Sequence, residues 1–202
     1  MAEQEMNPVD EPPNATRLFW SGPYAWPGFE SQNALPPLPK HSGVYLLTFP
    51  YQDGFLIYVA GLTRRLFRER FTEHKREYMR GAYNVLDPVQ AGNGVRSETW
   101  RGWGYWRAHG DEFGARRNEI QAAVTRQLAA FCVFVADIEP QGRAPERLEA
   151  AIMRGLDTAP PPCCDIPDKG MFLARRQSGE EPITVLNACA SKLHGLPERL
   201  PI

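Results

Sequence analysis

The stretch GVYLLTFPYQDGFLIYVAGLT, residues 43–63, carries the strongest structural signal in this chain. Its two runs, GVYLLTF and FLIYVAG, are apolar on both alternating faces, as expected of strands that are covered on both sides. PYQDG between them supplies proline, aspartate and glycine, which favour tight turns. The stretch therefore predicts a β-hairpin, in which Tyr45 and Tyr58 occupy positions where aliphatic residues would pack equally well.

The charge of the 202-residue chain is nearly balanced, with a formal net charge of -1, but it is unevenly distributed. Residues 1–30 carry a net charge of -4, whereas residues 63–127 carry +5. The densest basic run, TRRLFRER at residues 63–70, could face a polyanion. A solvated helix face accounts for such a run equally well, so the charge alone does not identify a partner.

The cysteines and the apolar runs limit the class of protein. The four cysteines lack CxxC spacing and the chain starts without a basic-then-apolar leader, which argues against a secreted disulfide scaffold and favours a cytoplasmic location. No apolar run approaches the roughly 20 residues of a membrane-spanning helix. We therefore expect a soluble domain without a membrane partner, large enough to bury a core.

Composition divides the rest of the chain into segments. Residues 1–16 are acidic and contain several prolines, which is typical of a disordered leader, and residues 17–42 mix aromatic residues with prolines, which favours an irregular arm packed on the core. The core is expected over residues 43–157, with a glycine- and tryptophan-rich insertion at residues 81–113. Residues 158–202 form a C-terminal extension with one strand candidate, PITVLN.

Helices and a third strand are expected within the core. Thr63 can cap a helix that continues to Met79, and the periodicity of residues 115–130 and 144–156 indicates two further helices. FCVFVADI, which begins at Phe131, is typical of a strand. The predicted fold class is α/β: a small, mainly antiparallel three-stranded sheet flanked by helices and extended by the arm, the insertion and the C-terminal segment.

Charged side chains fall within the apolar faces of two of these helices. On a helical wheel Arg70 and His74 lie inside the apolar arc of the first helix, and Glu149 lies inside that of the last. Burying an unpaired carboxylate or guanidinium costs several kcal/mol, so these groups need a partner, a metal or a cleft. A structural ion pair between Arg70 and Glu149 is one answer, and a functional site is the other.

Five polar residues follow one another in a distinctive order. Gly43-Val44-Tyr45 precedes Tyr58-Val59-Ala60-Gly61, Arg70 and His74 follow four residues apart, and Glu149 lies in RLEAAIM. This order resembles the GIY-YIG nuclease family over roughly residues 40–157. The chain departs from the family pattern by one extra residue between Tyr58 and Gly61 and by one more between Leu66 and Arg70.

The resemblance implies a divalent-metal-dependent endonuclease that hydrolyses DNA phosphodiester bonds, of the restriction or homing type. It implies catalytic roles for Tyr45, Tyr58, Arg70, His74 and Glu149. Glu149 would hold Mg²⁺ or Mn²⁺, Arg70 would clamp the scissile phosphate, and His74 would relay a proton or hold Tyr45. Tyr45 could act as a base only if nearby cations favour its phenolate, and Tyr58 would orient water or phosphate. The alternative is a non-catalytic module that kept this fold and binds nucleic acid or protein.

Contacts to DNA are expected from a second set of residues. RSETWRGWGYWRAHG, residues 96–110, interleaves arginines with tryptophans, which suits phosphate contact and base stacking. Packing of a long insertion onto the body explains the same pattern. Without a separate DNA-reading domain, recognition of double-stranded DNA would depend on loops, the arm or a homodimer. The predicted nucleic-acid-binding residues are Arg64, Arg65, Arg96, Arg101, Trp103 and Arg107.

Overall fold

The structure, a computed structural model, describes residues 14–138, 142–171 and 173–202. The strands in these residues are β1 (Ala15–Ala25), β2 (Gly43–Tyr51), β3 (Gly54–Thr63), β4 (Val85–Leu86), β5 (Glu98–Trp100), β6 (Cys132–Ala136), β7 (Thr184–Cys189), β8 (Lys192–His194) and β9 (Arg199–Pro201). The helices are α1 (Glu30–Asn33), α2 (Phe67–Met79), α3 (Pro88–Gly92), α4 (Trp103–Ala108), α5 (Gly110–Ala130) and α6 (Ala144–Thr158). Within these residues no helix combines the length and the apolar character needed to cross a membrane.

Seven strands form one mixed sheet in the order β8-β3-β2-β6-β1-β7-β9, and the sheet curls into a half-barrel. The prediction of a small three-stranded, mainly antiparallel sheet is therefore wrong. The three predicted strands pair antiparallel as β3-β2-β6, but they form only part of the larger sheet. The parallel pairs β1–β7 and β3–β8 make the sheet mixed, and β4 and β5 form a separate ribbon.

Most of the extra strands come from segments without a clear strand pattern; β7 (Thr184–Cys189) is the exception, since it overlaps the strand candidate PITVLN. The expected irregular arm at residues 17–42 instead contributes most of β1, whose pairing with β6 shifts register between Ser21 and Tyr24, around Pro23. Proline is tolerated in a sheet at such an irregularity because its missing N–H interrupts the ladder there. The expected leader, residues 1–16, lies outside the described residues up to residue 13, and its last two residues begin β1.

Two further expectations need correction. The first core helix begins at Phe67, not after Thr63, because β3 continues through Thr63, which pairs with Gly43. The Thr63 hydroxyl accepts a hydrogen bond from the Arg65 amide at 3.1 Å, within the turn that follows the strand. The expected long insertion at residues 81–113 contains β4, α3, β5, α4 and the start of α5.

Two hydrophobic cores pack on opposite faces of the sheet. Since successive strand residues alternate between faces, Tyr45 belongs to the core under α2 and α5, while Val44 and Leu46 belong to the core under α6. Tyr58 lies in the same core as Tyr45 and is fully buried. The hairpin thus presents both tyrosines to α2, the helix that carries Arg70 and His74.

Candidate active site

A hydrogen-bonded chain connects the hairpin to α2. The hydroxyl of Tyr45 lies 2.8 Å from Nε2 of His74, and Nδ1 of the same imidazole lies 3.2 Å from the hydroxyl of Tyr83. Tyr45 is buried, whereas Tyr83 is half-buried at the surface. This hydrogen-bonded network therefore leads from the interior of the sheet to solvent.

Burial sets the protonation state of the residues in this hydrogen-bonded network. Desolvation raises the pKa of Tyr45 above its ordinary value, although the nearby Arg70 opposes that shift. Desolvation, aided by Arg70, lowers the pKa of His74 to about 3. At neutral pH Tyr45 is therefore a phenol and His74 is a neutral imidazole, with one donor and one acceptor nitrogen.

The charge of Arg70 orients these hydrogen bonds. A guanidinium has donors only, so it attracts the oxygen of Tyr45 and turns the hydroxyl hydrogen toward Nε2 of His74. We therefore assign the imidazole proton to Nδ1, from which it is donated to the hydroxyl of Tyr83. In this assignment each hydrogen-bonding group of the Tyr45–His74–Tyr83 network has a partner.

Glu149 reaches the same region from the opposite layer. In α6 it lies between Glu146, which pairs with Arg64 at 2.7 Å, and Met153, whose Sδ accepts from the amide of Ala60 at 3.2 Å. These two contacts hold α6 along the end of β3. Burial raises the pKa of Glu149 to about 7; Arg70 lowers it and Glu146 raises it further.

The alternative of a structural ion pair between Arg70 and Glu149 does not match this geometry. Arg70 makes its ion pair with Glu73, at 3.6 Å, while its effect on Glu149 is a longer-range attraction. In the part of the chain that the structure describes, Glu149 makes neither an ion pair nor a side-chain hydrogen bond. It is therefore a largely buried carboxylate whose charge is only partly compensated.

Gly61 provides the space for the ring of Tyr45. The two residues face each other across the β2–β3 pair, and a Cβ atom on Gly61 would overlap the tyrosine ring. The requirement for glycine is steric at this position. The charge of Glu149, in the layer on the other side of the sheet, also contributes to raising the pKa of Tyr45.

Gly61→Ala is expected to displace Tyr45 and to destabilise the fold by about 1–3 kcal/mol, because overpacking a core forces side chains out of their rotamers. Gly155→Ala in α6 is the control, since a Cβ there meets no atom within 4 Å. That control should be neutral or slightly stabilising. Equal melting temperatures for the two variants would contradict the steric role of Gly61.

An open pocket of about 310 Å³ lies above this cluster. Arg70, His74 and Tyr83 line it together with Glu73, Arg76 and Glu77. A larger cavity of about 640 Å³, lined mainly by residues of β7, β8 and β9 and the segments between them, includes none of the five predicted catalytic residues. Of the five predicted catalytic residues, Arg70 and His74 line the smaller pocket, whereas Tyr45, Tyr58 and Glu149 do not. The smaller pocket is the candidate active site because these two side chains, and not its volume, define it.

Tyr58 does not join the other four residues. Its hydroxyl donates to Oδ2 of Asp168 at 2.9 Å, and burial, followed by the charge of Asp168, raises its pKa well above the ordinary value. Asp168 is itself buried and also accepts hydrogen bonds from Arg96 at 2.8 Å and from two other side chains. Those two are Asn84 at 2.7 Å and Trp103 Nε1 at 3.2 Å.

Tyr45 and His74 are hydrogen-bonded beside Arg70, and Glu149 acts on Tyr45 and Arg70 through its charge without a direct contact among the described residues. Tyr58 instead donates to Asp168, a separate carboxylate with several partners. Sequence reasoning missed Asp168 and Tyr83. Asp168 follows the proline-rich break after α6, where no periodicity distinguishes one aspartate from another. Tyr83 lies in the expected insertion, and only its position nine residues after His74 connects it with the motif.

Most of the predicted DNA-binding arginines already have acidic partners. Arg64 pairs with Glu146, Arg65 with Glu73 in a two-pronged contact at 2.6 and 2.7 Å, and Arg101 with Glu98 at 3.1 Å. Arg96 pairs with Asp168 and Glu98 and donates to the carbonyl of Ile166, so it packs the insertion onto the body. Trp103 is 45% exposed and adopts a positive φ of 51°, which is strained for a bulky residue. Arg107 lines a different pocket.

The five motif residues lie on β2, β3, α2 and α6, and the additional strands of the sheet lie outside these elements. The function therefore has to be inferred from the geometry and chemistry of the residues themselves. Comparisons with models of protein families, with curated proteins and with solved structures found no match to this chain.

Proposed function

We propose that this chain is a divalent-metal-dependent endonuclease that hydrolyses DNA phosphodiester bonds, with a site of the GIY-YIG type. The observation that carries the proposal is the hydrogen bond between Tyr45 and His74 beside Arg70, together with the buried carboxylate of Glu149, whose charge acts on both Tyr45 and Arg70 from the other layer of the sheet. A buried carboxylate, a guanidinium and a hydrogen-bonded phenol suit the charges of a phosphodiester under attack.

Glu149 fits a divalent cation. Its carboxylate is largely buried, its pKa is raised to about 7 by that burial, and it lacks an ion-pair partner among the described residues. Mg²⁺ in phosphate-processing sites is commonly held by one or two carboxylates, several waters and the substrate phosphate, so a single glutamate is compatible with such a site. When bound, the cation would supply charge stabilisation to the phosphate oxygens.

Arg70 fits the scissile phosphate. Its guanidinium lines the pocket and is one-third exposed, and its Nε is buried without a hydrogen-bond partner among the described residues. The exposed part of the guanidinium, which faces the open pocket, is a ready contact for an anionic oxygen. Arginine can hold two phosphate oxygens at once because its donors form a planar fork.

Tyr45 and His74 fit the transfer of a proton from the site to solvent. With its pKa raised by burial, Tyr45 keeps its proton in the unliganded protein and does not act as a base in that state. His74 holds the phenol in place through Nε2 and connects it to Tyr83 at the pocket surface. A proton released at Tyr45 would have this hydrogen-bonded path to solvent.

The direct test is the nicking or linearisation of supercoiled plasmid DNA by the purified chain. We expect cleavage in Mg²⁺ or Mn²⁺ and none in EDTA. DNA binding without cleavage in either cation would instead favour the non-catalytic binding module. Absence of both binding and cleavage would contradict the proposal and the alternative of a DNA-binding module together.

Arg70→Lys is expected to reduce the cleavage rate by about a hundredfold, because lysine keeps the charge but loses the fork that holds two oxygens. Arg68→Lys is the matched control, since Arg68 lies half a turn away in α2 and is exposed. Its rate should remain that of the wild type. Equal rates for all three proteins would remove Arg70 from the site.

A further inference from the structure

A second pocket, of about 620 Å³, lies beside the C-terminal end of α2. Among the described residues, its lining combines three arginines with two aromatic rings and contains no aspartate or glutamate. The residues that define it are Met79, Arg80, Trp106, Arg107, Phe113 and Arg117. None of them belongs to the candidate active site.

The positive charge of this pocket is only partly neutralised. Arg80 pairs with Glu77, which lines the neighbouring active-site pocket. Within the described residues neither Arg107 nor Arg117 forms an ion pair, although Arg116, next in the chain, forms two. Three guanidinium groups around one cavity repel one another, and an anionic ligand would relieve that repulsion.

The aromatic rings of the pocket are held by the arginines. The guanidinium of Arg80 lies 5.3 Å from the centre of the Trp106 ring, and that of Arg117 lies 5.8 Å from the centre of the Phe113 ring. Phe113 is buried, whereas Trp106 is half-buried, so Trp106 is the ring on which a flat ligand group can stack beside the charges that the arginines attract. A nucleic acid strand with unpaired bases has this chemistry.

The beginning of α5 adds to the positive potential. Gly110, its first residue, lines the pocket, and no side chain of a described residue caps this end of the 21-residue helix. The first amides of a helix lack intrahelical acceptors and attract anions. Asp111 and Glu112 lie in the same turn but do not line the pocket, and Glu112 accepts hydrogen bonds from Tyr105 and Arg116.

The helix α2 connects the two pockets. Arg76 lines the candidate active site and Arg80, one turn later, lines the second pocket. From Arg70 to Arg80 the helix rises about 15 Å, which equals about four nucleotide steps of B-form DNA at 3.4 Å each. A strand that leaves the active site along α2 therefore reaches the second pocket within a few nucleotides.

We infer that this pocket binds an unpaired stretch of the nucleic acid strand that flanks the cleavage site, with a base stacked on Trp106 and phosphates contacted by Arg80, Arg107 and Arg117. The inference rests on the proposed function for the position of the cleavage site. It goes beyond that function because it assigns the chain a binding site for single-stranded nucleic acid outside the catalytic residues.

Arg117→Gln tests the phosphate contact. Fluorescence anisotropy with a labelled single-stranded oligonucleotide should show weaker binding and a salt slope reduced by about 0.7, the value for one lost phosphate contact on a single strand. Arg126→Gln removes the same charge from an exposed site further along α5 and should leave both quantities nearly unchanged. Equal losses in the two variants would show a general charge effect and overturn the inference.

Trp106→Ala tests the stacking contact and should weaken single-strand binding about tenfold, while Trp106→Phe should restore most of it. A fully paired duplex and an acidic peptide are the competing ligands. If either one, and not the single strand, responds to these substitutions, the inference is wrong.

The failure of this inference is distinguishable from the failure of the proposed function. If the wild type never cleaves DNA but Arg117→Gln still weakens single-strand binding, the binding site is supported and the proposed nuclease function is contradicted. If cleavage occurs but Arg117→Gln binds like the wild type, the reverse holds.

Discussion

Glu149→Gln is expected to abolish metal-dependent cleavage while stabilising the protein in EDTA. Glutamine keeps the shape of glutamate but loses the charge that would hold a divalent cation, so transition-state stabilisation by that cation is lost. The same change removes a largely buried carboxylate that lacks an ion pair among the described residues. One substitution therefore moves activity and stability in opposite directions.

The stabilisation should depend on pH. Burial raises the pKa of Glu149 from 4.5 to about 7, so the folded state holds this proton more tightly than the unfolded chain. A carboxyl group with a raised pKa costs no stability below about pH 4.5, and the cost grows until the pH passes about 7. The full penalty is up to about 3 kcal/mol, since each pKa unit corresponds to about 1.4 kcal/mol.

Melting temperatures in EDTA across this pH range provide the measurement. The gap between Glu149→Gln and the wild type should be near zero at about pH 4.5 and should widen to several degrees at about pH 8. Glu69→Gln, at an exposed position of α2, is the control, and its melting temperature should show no such widening of the gap to the wild type. Adding Mg²⁺ should raise the melting temperature of the wild type only.

A structural ion pair between Glu149 and Arg70 makes the opposite prediction. Breaking a buried pair leaves a lone charge and costs about 3–5 kcal/mol, so the variant would melt well below the wild type near neutral pH. That result, or cleavage at the wild-type rate, would remove Glu149 as a metal ligand.

Asp168→Ala is expected to destabilise the fold by about 3–5 kcal/mol. Asp168 is buried and accepts hydrogen bonds from Tyr58, Asn84, Arg96 and Trp103. Removing it leaves the buried hydroxyl of Tyr58 without its acceptor and deprives the half-buried Arg96 of one of its two carboxylates. Unsatisfied buried donors carry the full cost of their desolvation.

A thermal melt measures this loss, which should lower the melting temperature by about 10 °C for a domain of this size. Asp165→Ala three residues earlier is the matched control, since its carboxylate is exposed and, within the part of the chain that the structure describes, accepts only from the thiol of Cys164. Asp168→Asn should fall between the two, because the amide oxygen still accepts. A loss below about 1 kcal/mol for Asp168→Ala would show that the four contacts do not hold the insertion to the body.

The periodic parts of the chain were predictable from the sequence. The hairpin, α2, α5, α6 and β6 are long enough to show their alternation or helical period, and each forms with small errors at its ends. The polar residues that interrupt the apolar faces of α2 and α6 were visible for the same reason. Hydrophobic period is a local property, so a sequence alone can display it.

The strands β8 and β9 and the ribbon β4–β5 were not predictable, because segments of two or three residues show no period. Their pairing depends on partners far along the chain: β8 pairs with β3 more than 130 residues earlier. The parallel pairing of β1 with β7 likewise joins the two ends of the described chain. The width of the sheet was therefore a property of the tertiary structure.

Sequence by itself determined which residue types accompany the hairpin: Tyr45, Arg70, His74 and Glu149 in a fixed order. Only the tertiary structure determined the hydrogen-bond and ion-pair partners of these residues, because such contacts depend on distance in space and not on spacing in the chain. In the folded protein Tyr58 donates a hydrogen bond to Asp168, and Arg96 forms an ion pair with the same carboxylate. Glu149 has no ion pair within the described residues. Burial then set the protonation of each group, since desolvation acts on a charge only after the chain has folded around it.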